Sequence, residues 1–286
     1  MLRGYKGRII TANANLVSTS TTSASGIWQL EECMQACAAS QWPGQVASGI
    51  TSTITIPGAS SSSGVPYAPS QSEYTSAGMS YPAGINYSFS SGYHYFTLPQ
   101  GTYNVNIRGA EGSGSQHGYG ANLTATLVVS SSTRIAALIG GRGGGSYGGG
   151  GGSFLATISG SDTYSGSTAL LVAGGGGGGY SSLGTYADAG DTSWTSTSRR
   201  GHNTDCATYG GGVYDAGAGF SSAFHSVSVY PCSTSPTYGA AAAAFDAGGV
   251  GGQVTACGDA WTGGGGFGGG GGSCPGGGGG YYGGLA

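Results

Sequence analysis

Runs of glycine in the second half of the chain restrict its fold more than any other feature. Most of the 64 glycines lie after residue 139, in runs such as Gly148–Gly152, Gly174–Gly179 and Gly268–Gly272. Glycine has no Cβ and loses more backbone entropy on ordering than any other residue. Each run therefore has two possible states: it stays disordered as a linker, or it packs backbone against backbone where no side chain would fit.

The packed alternative is the polyglycine II conformation, which has about three residues per turn and no internal hydrogen bonds. Its N–H and C=O groups point outward and need partners on neighbouring segments. Two features favour it over a linker. The runs alternate with the apolar segments Ser153–Ile158 and Thr168–Ala173, and aromatic residues stand at the run edges. We therefore predict a bundle of polyglycine II helices.

Composition excludes several classes of function. Only 7% of residues are charged and the net charge is −3, which argues against electrostatic binding of nucleic acid. No segment approaches the roughly 18 consecutive apolar residues of a membrane span. The first residues, MLRGYKGRIITANAN, lack the apolar core of a signal peptide. The abundance of Gly, Ser and Thr with 19 tyrosines predicts a surface that contacts other surfaces.

The middle of the chain has the alternation of half-buried β-strands. The predicted strands are separated by turn residues and cover Tyr93–Leu98, Tyr103–Arg108, Leu123–Val129 and Arg134–Ile139. No helical segments lie between them, so the pattern predicts an antiparallel sandwich. Ile50–Pro57 also alternates like a strand, and Tyr67–Gly84 is expected to be irregular.

One short amphipathic helix is predicted within Ser25–Gly44, SGIWQLEECMQACAASQWPG, where Trp42-Pro43 ends the pattern. Its apolar stripe is too small to form a core and must dock on something else. The segment resembles a short element of bacteriophage tail and other virion structural proteins. That resemblance implies attachment to other virion structural proteins through the anchor residues Trp28, Leu30, Met34 and Trp42.

A second resemblance covers residues 93–284. The strand segments YFTLPQGTYNVNIRGAEG, ANLTATLVV and TRIAALIGGRGG are followed by GGGGGSFLATI and TALLVAGGGGGGY. In this order they are similar to the glycine-rich module of the anaplastic lymphoma kinase and leukocyte tyrosine kinase receptors, and of phage tail-fibre tip adhesins. The resemblance implies a jelly-roll-like sandwich that carries a polyglycine II bundle. The receptors have a closing strand after the last glycine run; here Ile50–Pro57, another subunit or no strand at all would fill that place.

These observations predict three regions: residues 1–64, an attachment and oligomerisation segment with a Ser-rich linker; residues 65–139, the β-sandwich; and residues 140–286, the glycine-rich bundle with display loops. The chain is expected to be a homo-oligomer. Cys206, Cys232, Cys257 and Cys274 are possible disulfide cysteines with three possible pairings, and no C-x₂-C spacing suggests zinc. The scattered histidines and carboxylates give no catalytic site, metal site or cofactor site, so we expect no enzyme.

Two long segments interrupt the glycine runs and are rich in tyrosine, serine and glycine. Tyrosine provides contact area at a small entropic cost and serine provides adaptable hydrogen bonds, as in antibody paratopes. The alternative is that these aromatics only pack the ends of the bundle. The candidate receptor-binding residues are Tyr180, Tyr186, Trp194, Arg199, Tyr209, Tyr214, Phe220, Tyr230 and Tyr238.

The sequence therefore predicts a phage virion protein exposed on a tail or other appendage. We expect a tail fibre or tip adhesin that binds a host cell-surface glycan or protein. Two alternatives remain at this point: a purely structural virion subunit of the capsid decoration, collar or tube, and a secreted glycine-rich ligand-binding module.

Overall fold

The computed structural model describes residues 53–58, 68–115, 117–145, 147–179, 217–221, 242–252, 264–272 and 276–281. This part of the chain is mostly antiparallel β with very little helix, which confirms the predicted β class. Its elements are helix α1 (Gln71–Ser76) and strands β1 (Ser88–Ser90), β2 (Tyr93–Leu98), β3 (Gly101–Arg108), β4 (Asn122–Val129), β5 (Thr133–Leu138), β6 (Ser153–Thr157) and β7 (Thr168–Ala173).

The strands form two antiparallel sheets. A five-stranded sheet has the order β1-β2-β5-β6-β7, and β3 and β4 form a two-stranded sheet that contacts β6 and β7. In the larger sheet Tyr93 pairs with Leu138, and in the smaller one Arg108 pairs with Asn122. The predicted strand Tyr93–Leu98 is confirmed to the residue, and the other three predicted strands agree within two positions. The apolar segments Ser153–Ile158 and Thr168–Ala173, which were assigned to the glycine-rich region, form the further strands β6 and β7.

The five-stranded sheet is buried on both faces, because its alternating side chains enter two different clusters. Tyr93 and Tyr95 of β2 join an aromatic cluster with Phe154, Phe220, Phe245 and Phe267. Phe96 and Leu98 face the other way, into an aliphatic cluster that also contains Ile107, Val129 and Ile135. The aliphatic cluster joins the two sheets, whereas the aromatic cluster joins the larger sheet to glycine-rich segments near the C-terminal end of the sequence.

Residues 68–84 depart from the expected irregular structure. Helix α1 begins after Ser70, whose backbone N–H donates to the Glu73 carboxylate at 2.7 Å, and the helix buries Tyr74 completely. A Ser-x-x-Glu pattern at this position is the sequence signal of a helix start. The prediction missed it because the helix is only six residues long and has no apolar periodicity.

The segment predicted as a strand at Ile50–Pro57 is described from residue 53. Within 53–58 it forms a single antiparallel bridge, with Thr55 and Ser80 exchanging two backbone hydrogen bonds of 3.0 Å, and it does not join the five-stranded sheet. Ile54 and Ile56 pack against the aliphatic cluster. The proposed boundary at residue 64 therefore separates two isoleucines from the core that they help to cover.

The glycine runs continue the strands beyond one end of the two sheets. β3, β5 and β7 lead directly into residues 109–113, 140–144 and 174–179, while residues 118–121 and 148–152 lead into β4 and β6. We call these stretches, together with 264–272 and 276–280, the glycine segments. Because β5, β6 and β7 belong to one sheet, the regions proposed on the two sides of residue 139 share that sheet.

Hydrogen bonds between the glycine segments repeat every three residues. Gly149 and Gly152 both donate to segment 268–272, while Gly150 donates to Gly176 and Gly151 to Gly141, at 2.8–2.9 Å. The same period holds for other segments: Gly175 and Gly178 donate to segment 276–280, and Gly176 and Gly179 donate to segment 109–113. Each segment thus turns its successive N–H groups toward different neighbours, and these hydrogen bonds do not form a β-ladder.

A side chain would not fit at most of these positions. A Cβ added at Gly150 would stand 2.3 Å from the Ala110 carbonyl oxygen, and one at Gly176 would stand 2.0 Å from the oxygen of Gly118. The obstacle at each site is backbone, which cannot move aside as a flexible side chain can. The glycine residues are therefore required by the distance between neighbouring segments.

Adjacent glycines in one segment provide a matched test of this requirement. A Cβ at Gly279 would lie 2.0 Å from the Gly268 oxygen, whereas a Cβ at Gly280 has its nearest neighbour, Gly174 Cα, at 3.5 Å. We expect Gly279→Ala to lower the free energy of unfolding by about 3 kcal/mol or more, because overpacked interiors have to distort. Gly280→Ala should change it by less than about 1 kcal/mol. Thermal or urea unfolding of both variants measures the difference, and equal stabilities would contradict tight packing.

Candidate functional site

The glycine segments end far from the strands, and we call this end, marked by Ser113, Gly118, Gly144, Gly148 and Gly179, the distal end. Hydrogen bonds join its members: Ser113 N–H donates to Gly148 at 2.8 Å, and Gly144 N–H donates to Gly264 at 2.6 Å. Several connections between segments therefore start or finish at one place. They include residues 114–117 and 145–147, and the stretch 273–275 between Gly272 and Gly276.

The first long tyrosine-rich segment leaves from the distal end. Gly178 and Gly179, the last residues before it, donate backbone hydrogen bonds to Gly276 at 2.8 Å and to Ser113 at 3.1 Å. The chain is described again at Gly217, where an added Cβ would stand 2.0 Å from the Gly278 oxygen. Both attachment points of residues 180–216 are thus fixed in the glycine segments.

The second long segment, residues 222–241, is attached beside the five-stranded sheet instead. Before it, Phe220 N–H donates to Tyr281 at 2.8 Å and the Ser221 hydroxyl donates to Asp246 at 2.9 Å. After it, Ala244 and Phe245 enter the core. The first segment therefore leaves from the distal end and returns at Gly217, whereas both attachments of the second segment lie beside the sheet.

Phe220 is the candidate receptor-binding residue that the structure describes, and it is a packing residue. Its side chain is 6% exposed and stacks on Phe245, with ring centroids 4.9 Å apart, and on Tyr281 at 5.9 Å. We therefore remove Phe220 from the binding set. The other candidates lie outside the described residues: Tyr180, Tyr186, Trp194, Arg199, Tyr209, Tyr214, Tyr230 and Tyr238, as do the anchors Trp28, Leu30, Met34 and Trp42 and the cysteines Cys206, Cys232, Cys257 and Cys274.

Near the distal end, the structure brings together four side chains that the sequence did not connect. The Glu111 carboxylate accepts from Arg142 Nε at 2.9 Å and lies 3.4 Å from His117 Nε2. The Tyr119 ring contacts His117 at a centroid distance of 5.5 Å and is 58% exposed. We call these residues the polar cluster. Charged residues inside glycine runs were the signal that could have identified it.

A second polar group lies in the core beneath helix α1. His94 is fully buried, and its Nδ1 pairs with the Tyr81 hydroxyl at 2.9 Å and the Tyr87 hydroxyl at 3.4 Å. Burial lowers the pKa of His94 to about 3 and raises that of Tyr81. His94 is therefore neutral at physiological pH. With Tyr74 and Phe89 edge-on to its ring, this group contributes to packing between α1 and the sheet.

An ion pair fixes the turn between β6 and β7 to the larger sheet. Arg134 donates to both carboxylate oxygens of Asp162, at 2.8 and 2.7 Å, and also to the Asn86 carbonyl and the Ser88 hydroxyl. The hydrogen bonds from Arg134 hold the pKa of Asp162 below its usual value. This bidentate arrangement orients the turn and leaves Arg134 fully occupied.

Within the described ranges no three His, Cys, Asp or Glu side chains converge in the manner of a metal site. No helix there has the length and apolar character needed to cross a bilayer. Comparison with protein-family models and with curated proteins finds no match to this chain. The arrangement at the distal end, exposed polar and aromatic side chains on fixed backbone, is suited to binding.

The buried state of His94 predicts a pH dependence of stability. Its pKa is about 3 in the folded chain and about 6.5 when unfolded. Below pH 6.5 the unfolded chain therefore takes up a proton that the folded chain cannot, and the free energy of unfolding falls, by about 2 kcal/mol at pH 5. His94→Gln keeps an acceptor for Tyr81 without this titration. Melting temperatures between pH 7.5 and 5 should fall less in the variant, and parallel curves would contradict the assignment.

Proposed function

We propose that the chain is a bacteriophage virion protein, a tail fibre or tip adhesin, that binds the host surface at the distal end of the glycine segments. The glycine segments form a polyglycine II bundle that acts as a rigid base. The sandwich that carries it has a jelly-roll-like arrangement. The binding residues lie on the connections at the distal end, and above all on residues 180–216.

The three-residue hydrogen-bond period carries this proposal. A helix with about three residues per turn directs N–H groups three positions apart to the same side. Gly141 and Gly144 donate to the same segment, 264–267, and Gly276 and Gly279 donate to 147–150. Both parallel and antiparallel pairs of segments occur. Gly276 and Gly279 donate to Tyr147 and Gly150, in ascending order, so these two segments are parallel. Gly175 and Gly178 donate to Gly279 and Gly276, in descending order, so these two are antiparallel. The arrangement supports polyglycine II rather than a linker.

A rigid base explains how loops rich in tyrosine and serine could bind without a large entropic cost. Binding loses affinity when loops and their supports must become ordered at the same time. Here both ends of residues 180–216 attach to backbone that is held by lateral hydrogen bonds, at Gly178 and Gly179 on one side and at Ala218 on the other. The base is thus ordered before a partner arrives.

The virion assignment rests on the resemblance of Ser25–Gly44 to phage structural proteins. Ile54 and Ile56 pack on the aliphatic cluster between the sheets, whereas the glycine segments extend from the strand ends toward the distal end. We propose that residues 1–52 attach the chain to other virion proteins and to further copies of itself, so that the glycine segments are displayed outward.

The proposal can be tested on phage particles. We expect Trp194→Ala and Tyr209→Ala to lower the adsorption constant for host cells at least tenfold, because large aromatic residues commonly dominate the binding energy of an interface. Val128→Ala is the matched control, since Val128 is 61% exposed on β4, away from the distal connections. Particle yield and morphology in electron micrographs should be unchanged for all three variants.

Three results would contradict the adhesin proposal. Unchanged adsorption with lower thermal stability would assign Trp194 and Tyr209 to packing, as Phe220 already is. Normal adsorption with missing or misassembled particles would favour the purely structural subunit instead. Absence of the chain from purified particles would favour a secreted ligand-binding module.

A further inference from the structure

The polar cluster near the distal end has the chemistry of a binding site. Glu111, Tyr119 and Arg142 come from the three neighbouring glycine segments 109–113, 118–121 and 140–144, and His117 directly precedes the second of them. All four lie where side chains are otherwise almost absent. Glu111 and Arg142 are the charged residues of the described glycine segments. From this arrangement we propose that the cluster binds a neutral saccharide, which deepens the adhesin function proposed above and rests on it.

Backbone hydrogen bonds hold the cluster in place. Gly112 N–H donates to Gly118 at 3.1 Å, and Gly143 N–H donates to the Glu111 carbonyl at 3.1 Å. The His117 ring is fixed in turn by a hydrogen bond of 2.8 Å between its Nδ1 and the Gly114 carbonyl. The three segments therefore cannot shift independently, and the side chains are oriented before a ligand binds. Such preorganisation reduces the entropic cost of binding.

The cluster offers donors and acceptors side by side. Arg142 uses its Nε–H for Glu111, its side chain is 51% exposed, and its guanidinium carries four further N–H donors. A carboxylate can accept about four hydrogen bonds. The Glu111 side chain is 36% exposed. One of its carboxylate oxygens accepts a hydrogen bond from Arg142, and the other lies near His117. The carboxylate can therefore accept further hydrogen bonds. A hydroxyl group needs both a donor and an acceptor, and neighbouring sugar hydroxyls match this pair.

Tyr119 adds the apolar part of such a site. Its ring is 58% exposed, beside the polar groups and in contact with His117. An exposed tyrosine provides a flat apolar face and a polar end, and the C–H face of a sugar ring can lie on it. Glu111 makes an anionic ligand less suitable, because its carboxylate would repel the charge that Arg142 attracts. The charge balance therefore favours a neutral saccharide over an acidic one.

The test is a glycan array that carries both neutral and acidic oligosaccharides, probed with the intact protein. We expect binding to neutral oligosaccharides, and a loss of at least tenfold in affinity for Tyr119→Ala and for Arg142→Ala in titrations of the bound glycan. Arg108→Ala and Val128→Ala are the controls, because both residues are exposed on the smaller sheet outside the cluster. The melting temperatures of all variants should match that of the unchanged protein.

Three results would overturn the saccharide site: no neutral glycan bound, binding that is unaffected by both substitutions, or binding confined to acidic glycans. These outcomes are independent of the phage adsorption test. If Trp194→Ala lowers adsorption but the array shows no bound glycan, the adhesin function is retained and the saccharide site is rejected. If Tyr119→Ala abolishes glycan binding but phage that lack the protein adsorb normally, the saccharide site is retained and the adhesin function is contradicted.

Discussion

The close approach of neighbouring backbones is the interaction on which the rest of this structure depends. A Cβ at Gly178 would stand 1.9 Å from the Tyr147 oxygen, and one at Gly251 would stand 1.9 Å from the oxygen of Gly265. At such spacings only glycine leaves room for the lateral hydrogen bonds that satisfy the N–H groups. The large entropic cost of ordering glycine is offset because each segment is surrounded by partners, which an isolated run would lack.

The β-sheets and the glycine segments depend on each other. The ends of the strands determine where each glycine segment begins. The strand pairs Arg108–Asn122 and Ser153–Ala173 therefore place the adjoining glycine segments beside one another. Aromatic side chains close the junction. Phe267 is completely buried, and Tyr93 donates its hydroxyl proton to the Phe245 carbonyl. Ser153 joins the two sheets where the glycine segments begin. Its hydroxyl accepts a hydrogen bond from Gly140 N–H and donates one to the carbonyl oxygen of Arg108.

Much of this fold could be predicted from the sequence, because its signals are local. Alternation located the strands between Tyr93 and Ile139, and the glycine runs indicated where side chains had to be absent. Helix α1 was missed because six residues carry too little periodicity, although its Ser70-x-x-Glu73 start was present. The polar cluster was missed for a different reason. Glu111 and Arg142 are far apart in the sequence, and only the lateral pairing of their segments makes them neighbours.

The case of Phe220 shows the limit of composition as a guide to binding. Aromatic residues among serine and glycine suit both an exposed contact and a packed junction, and the sequence does not distinguish the two. The structure places Phe220 against Phe245 and Tyr281, beside the sheet. The proposal that residues 180–216 bind the host therefore rests on where this segment leaves the glycine segments, and not on its aromatic content.

The central claim, that the glycine segments are ordered by lateral backbone hydrogen bonds, is tested most directly by amide hydrogen exchange of glycine-labelled protein followed by NMR. Gly149, Gly150, Gly151 and Gly152 all donate to neighbouring segments, so we expect four consecutive glycines to exchange only through global unfolding. Gly160 and Gly166, in the exposed turn between β6 and β7, should exchange much faster. Rapid exchange of Gly149–Gly152, at the rate of these turn glycines, would contradict the account.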